Sequence, residues 1–264
     1  MAELLKNRSI LCISGKDSLE FLQNIVTNDL NNNSYSYNYL LSPQGRYLYD
    51  FFVLKLFTDQ LFIDIDSISA PSFLQRLILY KLRREVEIKN LTSEYSVLYS
   101  KEQLKNNEGI IASNRDPRFS KLGFRTILKT SFINKLELTG DESYVHDKYE
   151  FTIPDGLNDL IADSSLVPQF GAEELSAVSF SKGCYIGQEV ISRAKYQGVA
   201  RKKLFKLVSE KKIAFYNVGT EILDLRGEKI GIFCSSYNKC GIGLLNEEKY
   251  LVLNKKIALI NGIQ

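Results

Sequence analysis

Tryptophan is absent from this chain of 264 residues, and histidine occurs once, at His146. One imidazole cannot build a zinc site of two or three histidines, an HExxH protease or a two-histidine, one-carboxylate iron centre. A Ser-His-Asp triad would rest on His146 alone. Cysteine is sparse: Cys12, Cys184, Cys234 and Cys240 include no CxxC pair, which excludes a zinc ribbon or a thioredoxin-like motif. No run of about 18 apolar residues occurs, so no helical membrane span is expected. Met1 to Ile10 carry Glu3, Lys6 and Arg8 and no apolar h-region. The reading is of no secretory signal, reduced thiols and a cytosolic compartment. A net charge of +3 is too small to argue for nucleic acid.

What is present is the composition of a globular protein, 44% hydrophobic and 25% charged. Length alone suggests about two domains. A strand is expected at Ser9–Ser14, then a helix from Asp17, with Glu20 three residues on as a capping-box-like pair and Leu19, Leu22, Ile25 and Val26 on one face. The Asn-rich stretch 31–38 reads as a loop. Tyr47–Phe57 and Leu61–Ile65 read as a hairpin. Pro71 fits the first turn of a helix continued by Phe73, Leu74, Leu77, Ile78 and Leu82. Short strands follow at 86–89, 95–99, 109–113 and 123–128. After about Val199, strand-like runs at 203–208, 221–224, 229–235, 241–245 and 251–260 suggest a small all-β barrel or sandwich. The first half is an α+β layer rather than a doubly wound sheet.

The densest unusual run is Lys182-Gly183-Cys184-Tyr185-Ile186-Gly187-Gln188-Glu189. Two glycines bracket a cysteine and a tyrosine, which suits a turn where backbone approaches something closely. Lys182 and Arg193 flank the thiol in sequence and, if near it in space, would favour the reactive thiolate. The other reading is a glycine turn entering a helix with an inert, buried cysteine.

This octapeptide resembles the signature of the YgfZ-type folate-binding proteins, relatives of the glycine-cleavage T-protein, an aminomethyltransferase. Gly15 to Asp29 resembles that family's opening segment, and Ser42-Pro43-Gln44-Gly45-Arg46 its Gln-Gly-Arg loop. Arg115-Asp116-Pro117-Arg118 with Leu122-Gly123-Phe124-Arg125 resembles its Asp-Pro-Arg segment. The resemblance implies an α+β fold of two partly interleaved ferredoxin-like units, within about residues 1–195 and meeting near 90–95, plus a C-terminal β-barrel over 196–264. It also implies a monomer that binds tetrahydrofolate or a one-carbon derivative and supports assembly or repair of iron–sulfur enzymes, tRNA-thiolating ones included. Cys184 then carries the functional thiol, with Lys182, Gly183, Tyr185, Gly187, Gln188 and Glu189 as its motif neighbours.

Alternation along Leu48–Leu54 puts Asp50 on the face of Leu48, Phe52 and Leu54, where a carboxylate needs a partner. It either contacts a pterin edge or meets water or an arginine at a strand end. The aminomethyltransferases carry two adjacent Asp here; Tyr49-Asp50 has one, which counts against the competing reading, a folate-dependent aminomethyltransferase or demethylase. Arg118 and Arg125 suit a folate glutamate tail, because a guanidinium grips carboxylate bidentately, or else a structural pair with Asp116. Ring stacking falls to Tyr149, Phe151, Tyr185 or Tyr196. Arg193, Lys195, Arg201, Lys202, Lys203 and Lys206 include no acidic residue among them and suit polyglutamate, an acidic partner or weak tRNA contact over 193–206, or simply a solvated face. His146 reads as a surface imidazole and Cys12 as core, while Cys234 and Cys240 could face each other across a hairpin. Four scattered cysteines argue against a self-contained metal cluster.

Overall fold

The structure, a computed structural model, describes residues 1–105, 108–196, 202–214, 216–252 and 259–260. The elements in chain order are β1 (Ala2–Leu4), β2 (Arg8–Ser14), α1 (Ser18–Gln23), β3 (Tyr35–Leu41), β4 (Tyr47–Phe57), β5 (Gln60–Asp66) and α2 (Ala70–Lys81). There follow β6 (Glu87–Asn90), β7 (Tyr95–Ser100), β8 (Ile110–Arg115), β9 (Phe124–Lys129), β10 (Leu138–Thr139), α3 (Ser143–Glu150), α4 (Gly156–Asp159) and α5 (Gln188–Tyr196). The last are β11 (Lys202–Val208), β12 (Glu221–Leu223), β13 (Lys229–Tyr237), β14 (Cys240–Asn246), α6 (Glu247–Val252) and β15 (Leu259–Ile260).

The chain divides into two compact units, each discontinuous in sequence. The first comprises Met1–Leu41, Tyr49–Tyr144 and Glu173–Ile186; the second comprises Ser42–Leu48, Val145–Ala172 and Gly187–Gln264. The first unit holds two five-stranded sheets, ordered β3-β4-β5-β2-β6 and β10-β1-β7-β9-β8. β1 precedes β2 in the chain yet pairs with β7 and β10 of the second sheet, so the two sheets are interleaved in sequence.

Strand periodicity explains the layering. Phe51 and Val53 face a core shared with Phe21 and Leu22 of α1 and Phe73 and Leu77 of α2. Leu54, one step out of phase, joins Ile10, Cys12 and Phe62, which meet Val97 and Ile127 of the second sheet. Because β2 is covered on both faces, Ile10–Ile13 is a continuous buried run rather than an alternating one.

In the second unit, β11-β14-β13-β12-β15 form an antiparallel sheet over Leu207, Ile222, Ile230, Phe233 and Leu245. Among the described residues it is not closed into a barrel.

Four local expectations are corrected. Residues 35–38 belong to β3 rather than to a loop. Asn38 is tolerated in a strand because its amide donates to the Ser36 carbonyl at 3.1 Å and the Ser36 hydroxyl at 2.9 Å. Asp17 makes no side-chain cap to α1; its carboxylate instead accepts from the Glu85 backbone N–H at 2.8 Å. Leu251 and Val252 end α6 rather than start a strand. Asn246 accepts from the Lys249 N–H at 3.0 Å and Glu247 and Glu248 fill the first turn, a helix start that an apolar run does not reveal. Cys240 stands opposite Tyr237, and Cys234 falls at a register shift between Phe233 and Ser235, so the two cysteines do not face each other.

Candidate functional site

The signature run ends the first unit at Ile186 and opens the second at Gly187. Within the first unit, Lys182 is buried, and its ammonium donates to the carbonyls of Gln23 at 2.7 Å, Val26 at 2.7 Å and Asn28 at 2.8 Å. All three N–H donors of an ammonium are thereby satisfied. Burial pulls Lys182 down to about 8, with Asp29 acting the other way. The segment leading into the signature is docked by Thr27, whose hydroxyl donates to Ala177 O at 2.7 Å, and by Asn28, whose amide donates to Ser176 O at 2.6 Å. Ser179 N–H returns a bond to Thr27 O at 3.0 Å. The opening segment 15–29 and the signature are therefore one construction.

Tyr185 turns inward with its ring 5.1 Å from the Lys182 ammonium, and burial pushes its phenol up to about 12. Ile186 packs on the first core. Cys184, between these inward residues, is exposed, whereas Cys12 and Cys234 are buried and Cys240 is half-buried. The reading of Cys184 as an inert core thiol therefore falls. A Cβ at Gly183 would meet nothing within 4 Å, so no close approach requires that glycine. Gly187 does need its freedom, at φ 83°.

Asp50, Arg118 and Arg125 are gathered elsewhere in the first unit, around Tyr37 and Phe52. Tyr37 OH donates to Asp50 at 2.8 Å. The Arg118 fork closes on Asp116 with bonds of 2.9 and 2.7 Å and also donates to Tyr144 OH at 3.0 Å. Arg125 donates to Asp64 at 2.6 Å, and Arg8 reaches the other oxygen of that carboxylate at 2.6 Å. Guanidinium carbons of Arg118 and Arg125 lie 4.9 and 4.1 Å from the Phe52 ring centroid. Both arginines are only 2% exposed, so their forks serve internal carboxylates. Burial alone would raise the Asp64 carboxyl, but Arg125 and Arg8 hold it below the ordinary value.

The second unit contains a polar chain that sequence spacing did not suggest. Tyr149 OH donates to Ser235 Oγ at 2.8 Å, and Ser235 donates to Asp159. Lys148 reaches Asp159 at 2.9 Å and Asp155 at 3.1 Å. Burial would lower Lys148, yet the two carboxylates hold it well above its usual value. Tyr149 stacks on Tyr237 at 6.1 Å. Partners 76 and 86 residues apart leave no local signal. Also in this unit, Gly45 adopts φ 69°, and a Cβ there would lie 2.6 Å from Val190 Cβ, so the Gln-Gly-Arg loop seats the first turn of α5, which begins at Gln188.

Three residues of the basic run are paired at the surface. Arg193 meets Glu189 at 2.6 Å, Lys203 meets Glu247 at 3.0 Å and Lys206 meets Glu150 at 2.7 Å. Arg201 lies outside the described residues. Tyr196 is exposed and Phe151 half-buried, and His146 stands at the surface, 3.8 Å from Asp147.

Comparison with solved structures decides the architecture. Glycine cleavage system aminomethyltransferase T from Bartonella henselae superposes with a TM-score of 0.72 over 93% of this chain and 78% of that one, at 14% identity. The chain has the aminomethyltransferase T fold. Residues 7–99 match the GCVT N-terminal domain. Among curated proteins, it is 30% identical over 238 residues to the iron–sulfur cluster assembly factor IBA57 homolog of Mycosarcoma maydis, covering 81% of this chain and 57% of that protein. It is 28% identical over 274 residues to human IBA57, covering 93% and 77%. The Pyricularia oryzae homolog is 28% identical over 218 residues, covering 77% and 56%. The chain thus spans little more than half the length of the fungal relatives. These matches support the family resemblance broadly, through the GCVT N-terminal domain and the IBA57 relatives.

They also correct the compartment. All three relatives are named mitochondrial, which overturns the cytosolic expectation. Free thiols indicate reducing surroundings and do not distinguish one reducing compartment from another.

Proposed function

We propose that this protein is an iron–sulfur cluster assembly factor that acts through Cys184 and binds a tetrahydrofolate. The observation that carries the reading is the presentation of Cys184. It is the exposed cysteine in a turn whose neighbours are locked inward by the three carbonyl bonds of Lys182. A thiol held at the surface by a rigid base is available to a cluster or a partner in a way a core cysteine is not. The relatives named as iron–sulfur cluster assembly factors support the same role, with iron–sulfur enzymes or assembly proteins as partners. Tetrahydrofolate follows from the resemblance to folate-binding proteins, and tRNA-thiolating enzymes are one class of client it suggests. The same resemblance suggests a folate-binding region over 1–195 and an appended β-domain over 196–264.

The residues present fit a folate in part. Asp50 offers a half-buried acceptor for a pterin amino group beside the Tyr37 ring. Arg118 and Arg125 would shape that wall through Asp116 and Asp64 rather than grip a glutamate tail, since release of either fork would strand a buried carboxylate.

Two measurements test the two halves separately. Calorimetric titration of the folded protein with tetrahydrofolate is expected to show saturable binding, weakened at least tenfold in Asp50→Asn. A flat titration removes the folate. Expression of Cys184→Ala in cells lacking the protein is expected to give normal protein levels without recovery of iron–sulfur enzyme activity. Full recovery removes the thiol.

A further inference from the structure

Helix α2 packs inward through Ala70, Phe73 and Leu77, yet its outward ridge is not polar. Ile78, Leu79 and Leu82 are 56, 72 and 85% exposed. Their spacing places the three aliphatic side chains together, since residues three and four apart on a helix are neighbours. Leu82 is the more informative of them. It caps the helix at φ 48° and ψ −117°, a conformation that L-residues other than Asn and Asp rarely adopt and that glycine would hold without strain. A leucine there gives nothing back to the fold, because its side chain touches little of the chain. Strain held at an exposed apolar residue with no internal return directs attention outside the molecule.

The helix and the residues just after it, up to Arg84, are cationic. Residues 70–84 contain Arg76, Lys81, Arg83 and Arg84 and no Asp or Glu. Arg84 is tied to Glu20 at 3.2 Å and Arg76 to Tyr80 OH at 3.5 Å. Lys81 and Arg83 make no ion pair among the described residues. An aliphatic ridge with unneutralised cations beside it complements an acidic partner.

We infer that the α2 ridge is a docking surface for an acidic amphipathic helix of another protein, with aliphatic anchors against Ile78, Leu79 and Leu82 and carboxylates against Lys81 and Arg83. A protein segment suits this ridge better than a membrane. The outward strip from Gln75 to Leu82 is about 10 Å long at ~1.5 Å per residue. It carries no exposed Trp, Phe or Tyr of the kind that seats an interfacial helix among lipid headgroups. The inference does not depend on the folate or on Cys184.

The test uses the full chain in cells, with p-benzoylphenylalanine introduced at position 78 and irradiated, and the cross-linked peptide identified by mass spectrometry. The expected product joins α2 to a segment of one other protein that carries Asp or Glu between aliphatic residues at helical spacing. Leu79→Asp and Arg83→Glu should each reduce that product at least tenfold, and neither should shift the thermal midpoint, because both side chains are exposed. Cross-links to a second copy of this chain, to lipid, or to a segment without acidic residues overturn the inference, as does the lack of any product. Flotation of the purified protein with phosphatidylcholine–phosphatidylserine vesicles, lost in Arg83→Glu, would assign the ridge to a membrane and overturn it equally.

Discussion

Removing the Lys182 ammonium would leave the carbonyls of Gln23, Val26 and Asn28 turned toward one another without a donor. Hydrogen bonds to a charged group contribute roughly 1.5–3 kcal/mol each, and the desolvation of the ammonium offsets part of that sum. Lys182→Met is expected to destabilise the protein by about 2–4 kcal/mol in urea unfolding. Lys182→Arg should not restore it, because a planar fork cannot address three carbonyls as a rotating ammonium does. A wild-type midpoint for Lys182→Met would show that the loop is held by something else. Glycine positions give a sharper contrast. Gly45→Ala forces a Cβ to 2.6 Å from Val190 at a positive φ, while Gly183→Ala meets open space. The first should lower the thermal midpoint by several degrees, an effect of about 1–3 kcal/mol, and the second should leave it within error. Equal effects would contradict the packing of the Gln-Gly-Arg loop on α5.

Among the elements, β5 carries the carboxylate that joins sheets. Asp64 receives Arg8 from β2 and Arg125 from β9, so one buried side chain links the two sheets of the first unit. Its folded carboxyl lies below the unfolded value, so the linkage has a definite sign. The stabilisation is complete above the unfolded carboxylate value, about 4, and is lost as pH falls through the lower folded one. Asp64→Asn is expected to lower stability at pH 7 by about 3–5 kcal/mol, because the buried Arg125 guanidinium and the partly buried Arg8 are left with a weaker partner. It should also flatten the acid limb of a stability–pH curve below pH 4; an unchanged limb would place the titrating group elsewhere. This junction shows what a sequence exposes. Phe51 and Val53 against Asp50, Phe52 and Leu54 could be sorted by alternation, because the pleat fixes the face of every residue. Arg118 and Arg125 stood out as chemically unusual, but their partners could not be read for both. Asp116 lies two residues from Arg118, whereas Asp64 is 61 residues from Arg125 and reaches it only through sheet stacking. The polar chain from Tyr149 to Asp159 was hidden for the same reason.

At the scale of the whole molecule, the four cysteines give a direct reading of which surfaces the fold presents. Residue types alone left Cys184 balanced between a reactive thiol and a small core hydrophobe, since glycines on either side suit both. The balance is decided by groups remote in sequence: the α1 end that anchors Lys182 and the core that takes Ile186 leave Cys184 on the outside. Cys12 lies between the sheets of the first unit, and Cys234 lies within the C-terminal sheet; burial pushes both thiols up. Little thiolate forms at either site near neutral pH, and thiolate is the form that reacts. Native protein mixed with Ellman's reagent at pH 7.5 is therefore expected to show one fast thiol, a slower one at half-buried Cys240, and the last two only after denaturation. In Cys184→Ala the fast phase should vanish and the others persist. A fast phase that survives this substitution would mean that another cysteine is exposed, and the case for Cys184 as the presented thiol would collapse with it.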